Sequence, residues 1–347
     1  MVTRRCFLRY FRFSVFFILI YTGLCFIFFK TSLLYQDENI DLDGPEMHHW
    51  LVAPYPYPYE FLMNPHEKCQ GRTPFLVLLV VAESHDVDSR MTIRETWGNE
   101  SNYGEVDVVT VFLVGLSPNE TSNVQKMLEE ENSIYGDIVQ QDFMDTYYNL
   151  TIKILMGMEW IAKYCSNTGY VMKIDSDMFL NVDYLVHKVL HPSKPICADY
   201  STGLIVENTK PIRDKTSKWY VSKKIYPNDT YPPYFSGPGY VFSAELAQRI
   251  YNVAQVISII PFEDCFFGIC LYHLKIQPYA PPTDAFNGHW IDYDRCQYNK
   301  LATVHHYTND KLREVWKDFW SLKKSGCPDD GIFDWIAIFL KGLLKLF

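Results

Sequence analysis

Tyr170-Val-Met-Lys-Ile-Asp-Ser-Asp-Met-Phe-Leu-Asn181 decides how this chain is read. An apolar run carrying one lysine stops at two aspartates with a serine between them. In an extended chain, side chains two positions apart point to the same side. Asp175 and Asp177 would then crowd two negative charges together, and a divalent cation with oxygen ligands is the usual remedy. Open α/β sheets bind ligands at the carboxyl ends of their strands, where these acids would lie. The alternative is a helix beginning near Met178, with Asp177 as its N-cap.

The flanking sequence supports a strand. FLVLLVVAES (75–84) and VDVVTVFLVG (106–115) are apolar runs of the kind buried on both faces. A polar segment with helical spacing covers Asn119 to Glu131, and YGDIVQQDF (135–143) supplies a short strand. Residues 149–164 carry apolar side chains at helical spacing, directly before YVMKID. This alternation predicts an α/β fold, its mostly parallel sheet flanked by helices. The second half is richer in loops. Gly237 and Gly239 precede a helix within 231–254, and they permit either close approach of a ligand or a tight turn. Glu263 and Asp264 open an aromatic-apolar segment, as a general base or as the acidic first turn of a helix. His305 and His306 fit either a satisfied core histidine or a ligand completing a dicarboxylate metal site.

The N-terminus sets the compartment. Residues 13–29 lack charged side chains, and the run meets the lower limit of roughly 17 residues for a membrane span. Arg4, Arg5, Arg9 and Arg12 precede it, which leaves residues 1–12 as a cytoplasmic tail. The run exceeds a signal-peptide core, and no small-x-small cleavage site follows. A single transmembrane anchor is therefore expected, followed by an extended stem over 30–70, rich in proline and tyrosine near its end. A catalytic-size domain over 71–328 and an apolar tail over 329–347 complete the chain. Asn99, Asn119, Asn149 and Asn228 head N-glycosylation sequons, consistent with a luminal setting. Cys6 and Cys25 belong to the tail and anchor. Cys69, Cys165, Cys197, Cys265, Cys270, Cys296 and Cys327 remain, an odd number in an oxidising compartment, so at least one is free or bridges another chain. The net charge of −9 argues against nucleic acid as a partner.

Taken in order, several segments resemble the β-1,3-galactosyltransferase family. They are Arg90-Met-Thr-Ile-Arg-Glu-Thr-Trp-Gly98, VFLVG, Asp145-Thr-Tyr-Tyr-Asn-Leu-Thr151 with Lys153, VMKIDSD, SKWYVSKKIYP (217–227), YFSGPGYVFS (234–243), EDCFFGICL and the VH of TVHHY. The likeness runs from about Cys69 to Cys327. It implies a GT-A-like, Rossmann-type fold with a loop-rich acceptor half, in a single-pass type II Golgi membrane enzyme that works by inversion with Mn²⁺. The implied reaction moves galactose from UDP-galactose to the 3-hydroxyl of an acceptor sugar, N-acetylglucosamine or a relative, on a glycoprotein or glycolipid. By resemblance, Asp177 is the direct metal ligand, Asp175 lies toward the uridine ribose and His305 completes the metal site. Asp264 is the base, with Glu263 beside it. Arg90, Arg94, Lys153, Lys173 and Ser176 fall at the nucleotide end, and Lys218, Trp219, Gly237 and Gly239 line the sugar cleft. The same resemblance implies disulfides Cys270–Cys296 and Cys69–Cys165. Homodimerisation is left open.

Two positions depart from the family pattern: Phe235 stands where galactose-transferring relatives often have cysteine, and Cys265 where an aliphatic residue is usual. SGPGYVFS is closer to galactose-transferring than to N-acetylglucosamine-transferring relatives. The rival classes are a β-1,3-N-acetylglucosaminyltransferase, an aspartate-nucleophile phosphohydrolase and a non-catalytic carbohydrate-binding membrane protein. The phosphohydrolase reading expects a Gly-Thr or Thr-Val-like continuation, whereas Met178-Phe179 follows.

Overall fold

The computed structural model describes residues 55–118, 122–281, 285–321 and Cys327. The expected cytoplasmic tail, the anchor over 13–29, the first part of the stem, the Asn119 sequon and the apolar tail lie outside the described residues. Among the described residues no helix is long and apolar enough to cross a membrane.

Among the described residues nine strands form two sheets: β1 (Phe61–Met63), β2 (Leu76–Val81), β3 (Val108–Leu116), β4 (Ile138–Met144), β5 (Tyr170–Asp175), β6 (Phe179–Leu180), β7 (Ser201–Val206), β8 (Tyr234–Ser243) and β9 (Thr303–Val304). The large sheet is seven-stranded, in the order β1-β4-β3-β2-β5-β8-β7, and β6 pairs with β9. The run β4-β3-β2-β5 is parallel, as the alternation predicted. The sheet is nevertheless mixed, because β1, β8 and β7 join antiparallel. The longer helices are α1 (Val87–Glu95), α2 (Ser122–Tyr135), α3 (Leu150–Tyr164), α4 (Ala244–Ala254), α5 (Glu263–Leu274) and α6 (Asn309–Ser321).

The continuous apolar runs are explained by two cores. Val77 and Leu79 of β2 face one core with α3, α4 and α5. Leu76, Leu78 and Val80 face another with α1 and α6. Each fully buried aliphatic side chain of this kind contributes about 1.5–3 kcal/mol relative to exposure. Gly157 sets how closely α3 lies on the sheet: a Cβ there would sit 2.8 Å from Leu113 Cδ1 and 3.0 Å from Leu79 Cδ1.

Three expectations need correction. First, residues 55–70 belong to the folded body rather than to a stem. β1 pairs with β4, Trp160 Nε1 donates to Asn64 Oδ1 at 2.9 Å, and Cys69 is bonded to Cys165. A proline-tyrosine stretch reads as a linker, but the rings of Tyr55 and Tyr59 pack on the core. Second, Gly237-Pro238-Gly239 is not a tight turn before a helix. It lies inside β8, where pairing with β7 shifts register between Gly203 and Ile205.

Third, Cys69–Cys165 forms as the resemblance implied, but Cys270–Cys296 does not. Cys296 bonds Cys327, and Cys270 is free and fully buried. The sheet explains this. Cys270 on α5 packs in the core on one face, while Tyr298, two residues from Cys296, packs in the core on the other. Cys197 and Cys265 are also free, the former exposed and the latter buried.

Candidate active site

The Asp-Ser-Asp motif falls at the carboxyl end of β5, where Asp175 stands opposite Val81 of β2. Since the strand ends at Asp175, Asp177 lies beyond it and the two-residue alternation no longer applies. Asp175 instead shares a face with Lys173, two positions earlier, whose Nζ lies 2.7 Å from its Oδ1. Burial raises the Asp175 pKa above its ordinary value, even against the pull of Lys173.

Asp177 finds different partners through the small sheet. β6 and β9 pair with Phe179 opposite Val304 and Leu180 opposite Thr303. This register brings the residues after β9 alongside those before β6. His305 Nε2 lies 3.2 Å from Asp177 Oδ2, and Tyr307 N–H donates to the Asp177 carbonyl at 2.8 Å. His306 takes a left-handed φ of 70° and its ring stacks on His305 at 3.8 Å. Ligand atoms of Asp177, His305 and His306 all lie within 4.8 Å of one another. Burial opposes the Asp177 charge, yet His305 holds its pKa below the ordinary value. Burial likewise works against a charged His305, and Asp177 raises it. One carboxylate and two imidazoles make a mixed oxygen–nitrogen donor set suited to a divalent transition metal. Asp175 is outside that trio and His306 is inside it, a substitution that the His-His dipeptide hinted at.

A cavity of about 600 Å³ opens beside this trio. Asp175, Ser176, Asp177 and His305 line it, with Tyr147, Lys153 and the 82–85 loop. Lys153 is buried, and its Nζ lies 2.6 Å from Asp145 Oδ1 and donates to the Ala82 carbonyl at 2.7 Å. Its charge is thus paired within the protein.

Arg90 and Arg94, expected at the nucleotide, are not among the residues lining this cavity. Arg90 is fully buried, with Nε and Nη2 donating to Glu131 at 2.8 and 2.7 Å. It also donates to the carbonyls of Glu83 and Ser84. Arg94 pairs with Asp137 through two bonds of 2.8 Å and with Glu131 at 2.7 Å. Acids of the α2–β4 region take the donors that a phosphate would need. Arg90 acts on the cavity indirectly, by fixing the loop that forms its wall.

The acidic pair opens α5. Phe262, the N-cap, offers no side-chain bond, so Asp264 Oδ1 accepts from Cys265 N–H at 2.7 Å. The other carboxylate oxygen, Oδ2, would lie 3.4 Å from a Cβ at Gly237, so the missing side chain leaves space beside it. Burial raises the Asp264 pKa. Glu263 is more deeply held: Lys173 lies 2.8 Å from its Oε1, and Tyr240 OH donates to its Oε2 at 2.7 Å. Burial pushes Glu263 up to about 7, against the pull of Lys173. Gly237 therefore faces this pair, while Gly239 pairs with Ile174 and packs near Met172.

Lys218 and Trp219 are exposed. Trp219 Nε1 donates to Tyr147 OH at 3.2 Å, and Lys218 Nζ sits over the Trp219 ring at 4.5 Å. Tyr147 thus joins this aromatic edge to the cavity. It stood within a quoted motif without being singled out, as did Tyr240.

A separate groove of about 410 Å³ runs beneath Tyr55, Tyr57 and Tyr59. Its polar groups already pair with one another, Glu159 with Gln141 and Lys163 and Gln255 with Tyr55. It shares no residue with the acid-lined cavity.

The sequons divide sharply. Asn228 is exposed and Asn99 half-buried. Asn149 is fully buried, its Nδ2 donating to the Met144 carbonyl at 2.8 Å, so a glycan there is incompatible with this fold. When the chain is expressed through a secretory pathway, Asn228→Gln should remove one glycan by mass while Asn149→Gln removes none. A glycan found on Asn149 of folded protein would contradict the placement.

A sequence profile of the galactosyltransferase family matches residues 88–282, more than half of the chain. β-1,3-Galactosyltransferase 2 of Mus musculus and of Homo sapiens are each 43% identical over 277 residues. That stretch is 80% of this chain and 66% of theirs, so the chain spans just under two thirds of those relatives. β-1,3-Galactosyltransferase 1 of Mus musculus is 42% identical over 273 residues, 78% of this chain and 82% of that protein. The chain belongs to the galactosyltransferase family.

Proposed function

We propose that the protein is an inverting β-1,3-galactosyltransferase that moves galactose from UDP-galactose to the 3-hydroxyl of an acceptor sugar, with Mn²⁺ as cofactor. The observation that carries this reading is the carboxylate–diimidazole trio just beyond β5, beside a cavity lined by Asp175, Ser176 and Asp177. Family membership supports the donor class, and SGPGYVFS favours galactose over N-acetylglucosamine.

Asp177, His305 and His306 would hold the cation, which when bound would offset the negative charge of a diphosphate leaving group. Asp264 takes the proton of the acceptor hydroxyl, a poor nucleophile without such help. Its Oδ1 is anchored to the helix N-terminus, which leaves Oδ2 for that proton. Attack on the face opposite UDP converts an α-linked donor into a β-linked product, and no covalent intermediate is needed. Trp219, joined to the cavity by Tyr147, offers a ring for a sugar face. With residues 13–29 as a signal-anchor, the domain would work on the luminal side of the Golgi membrane.

Incubating the full chain with Mn²⁺, N-acetylglucosamine acceptors and a panel of UDP-sugars tests this. Transfer of galactose is expected. Transfer from UDP-N-acetylglucosamine alone would move the assignment to the sister activity, and binding of every donor without turnover would remove the catalytic reading.

A further inference from the structure

We infer that Lys173 is a positioning residue that fixes the base-bearing end of α5 to the strand carrying the Asp-Ser-Asp motif. This rests on the transferase reading above and gives Lys173 a different part from contact with the nucleotide.

A lysine with 3% exposure in the middle of a sheet requires an explanation, because an uncompensated buried ammonium is costly. Its three N–H donors converge on three acceptors: Asp175 Oδ1, Glu263 Oε1 and the Gly237 carbonyl. None remains for a phosphate. Each acidic pair therefore commits one member to Lys173. Asp175 is held and Asp177 is left to the histidines; Glu263 is held and Asp264 keeps Oδ2 toward Gly237.

The surrounding register makes this anchor stiff. Lys173 stands on β5 between Leu79 of β2 and Tyr240 of β8. Tyr240 is fully buried, stacks on Phe235, and binds the second oxygen of Glu263. Both oxygens of Glu263 are thus gripped by neighbouring residues of one β5–β8 rung. The first turn of α5, and with it Asp264, takes its place from the same strand that ends at Asp175. The cation trio depends instead on the separate β6–β9 pairing.

The test compares wild type, Lys173→Met and Tyr240→Phe in the full chain, with kcat expressed per UDP-binding site in Mn²⁺. A misplaced base should lower kcat per site roughly 100-fold in Lys173→Met, the usual size for an ångström-scale displacement. Mn²⁺ affinity should stay within about 3-fold, because Asp177, His305 and His306 are not among the partners of Lys173. Tyr240→Phe keeps the ring and loses one bond to Glu263, and a drop of about 10-fold in kcat is expected. A merely structural lysine would reduce the number of binding sites and leave kcat per site unchanged. Should Lys173→Met fail to fold, Tyr240→Phe decides alone. Unchanged kcat per site in each variant that folds overturns the inference. A wild type that transfers no sugar from any donor overturns the transferase reading and this one with it, whereas active wild type with equally active variants overturns only this one.

Discussion

Asp264→Asn is expected to lower kcat by about 10²–10⁴-fold, the range that a positioned general base contributes, while Mn²⁺-dependent UDP binding is kept. The substitution is nearly isosteric. The asparagine carbonyl can still accept from Cys265 N–H, so the start of α5 is preserved. What disappears is the carboxylate oxygen facing the space beside Gly237. The pH profile provides a second reading of the same step. Burial raises the Asp264 pKa, so the base is lost as pH falls through a value above that of an ordinary aspartate. The acid limb of the wild-type rate profile should therefore begin at a higher pH than an ordinary aspartate would give, and Asp264→Asn should lose it. Turnover within a few-fold of wild type would assign the base elsewhere.

Arg90→Met should destabilise the fold by about 3–5 kcal/mol, as breaking a buried ion pair typically does. Arg90 is fully enclosed and serves Glu131 with two bonds while capping the Glu83 and Ser84 carbonyls. Methionine fills much of the volume but satisfies none of these acceptors. Arg94 still reaches Glu131, which moderates the loss on that side. The Glu83 carbonyl keeps the Asp86 N–H at 3.1 Å, but both carbonyls lose the guanidinium and belong to the loop that walls the cavity. Denaturant unfolding of the full chain should show the loss, together with a raised KM for the donor. Stability within about 1 kcal/mol of wild type would show that the cluster is not structural.

These two residues show where the sequence was legible and where it was not. The strands β2, β3 and β5 could be read because both their faces are buried, which leaves unbroken apolar runs. The helix of 150–164 was visible from its spacing. Glu263 and Asp264 could be read either as a base or as the acidic first turn of a helix, and the structure places them in that first turn; only the resemblance singled out Asp264. Arg90 was placed at the nucleotide by resemblance alone, and its partner Glu131 lies 41 residues away, out of reach of local sequence. β8 was missed because proline argues against an interior strand. Pro238 is tolerated because β5 pairs only as far as Gly239 and β7 slips register across that stretch. The disulfide exchange was hidden for a similar reason, since only the sheet shows that Cys270 and the turn bearing Cys296 pack on opposite faces. Pairing of Asp175 with Lys173 rather than with Asp177 follows from the strand ending one residue too early for the alternation to continue.

In the proposed reaction Asp177, His305 and His306 would hold the cation on which a diphosphate donor binds. Calorimetric titration of UDP into the wild type and Asp177→Ala, each with Mn²⁺ and then with the metal chelated, tests it most directly. UDP should bind wild type only when Mn²⁺ is present, and should not bind Asp177→Ala in either condition. Equal UDP affinity with and without Mn²⁺, or unchanged Mn²⁺-dependent binding in Asp177→Ala, would contradict it.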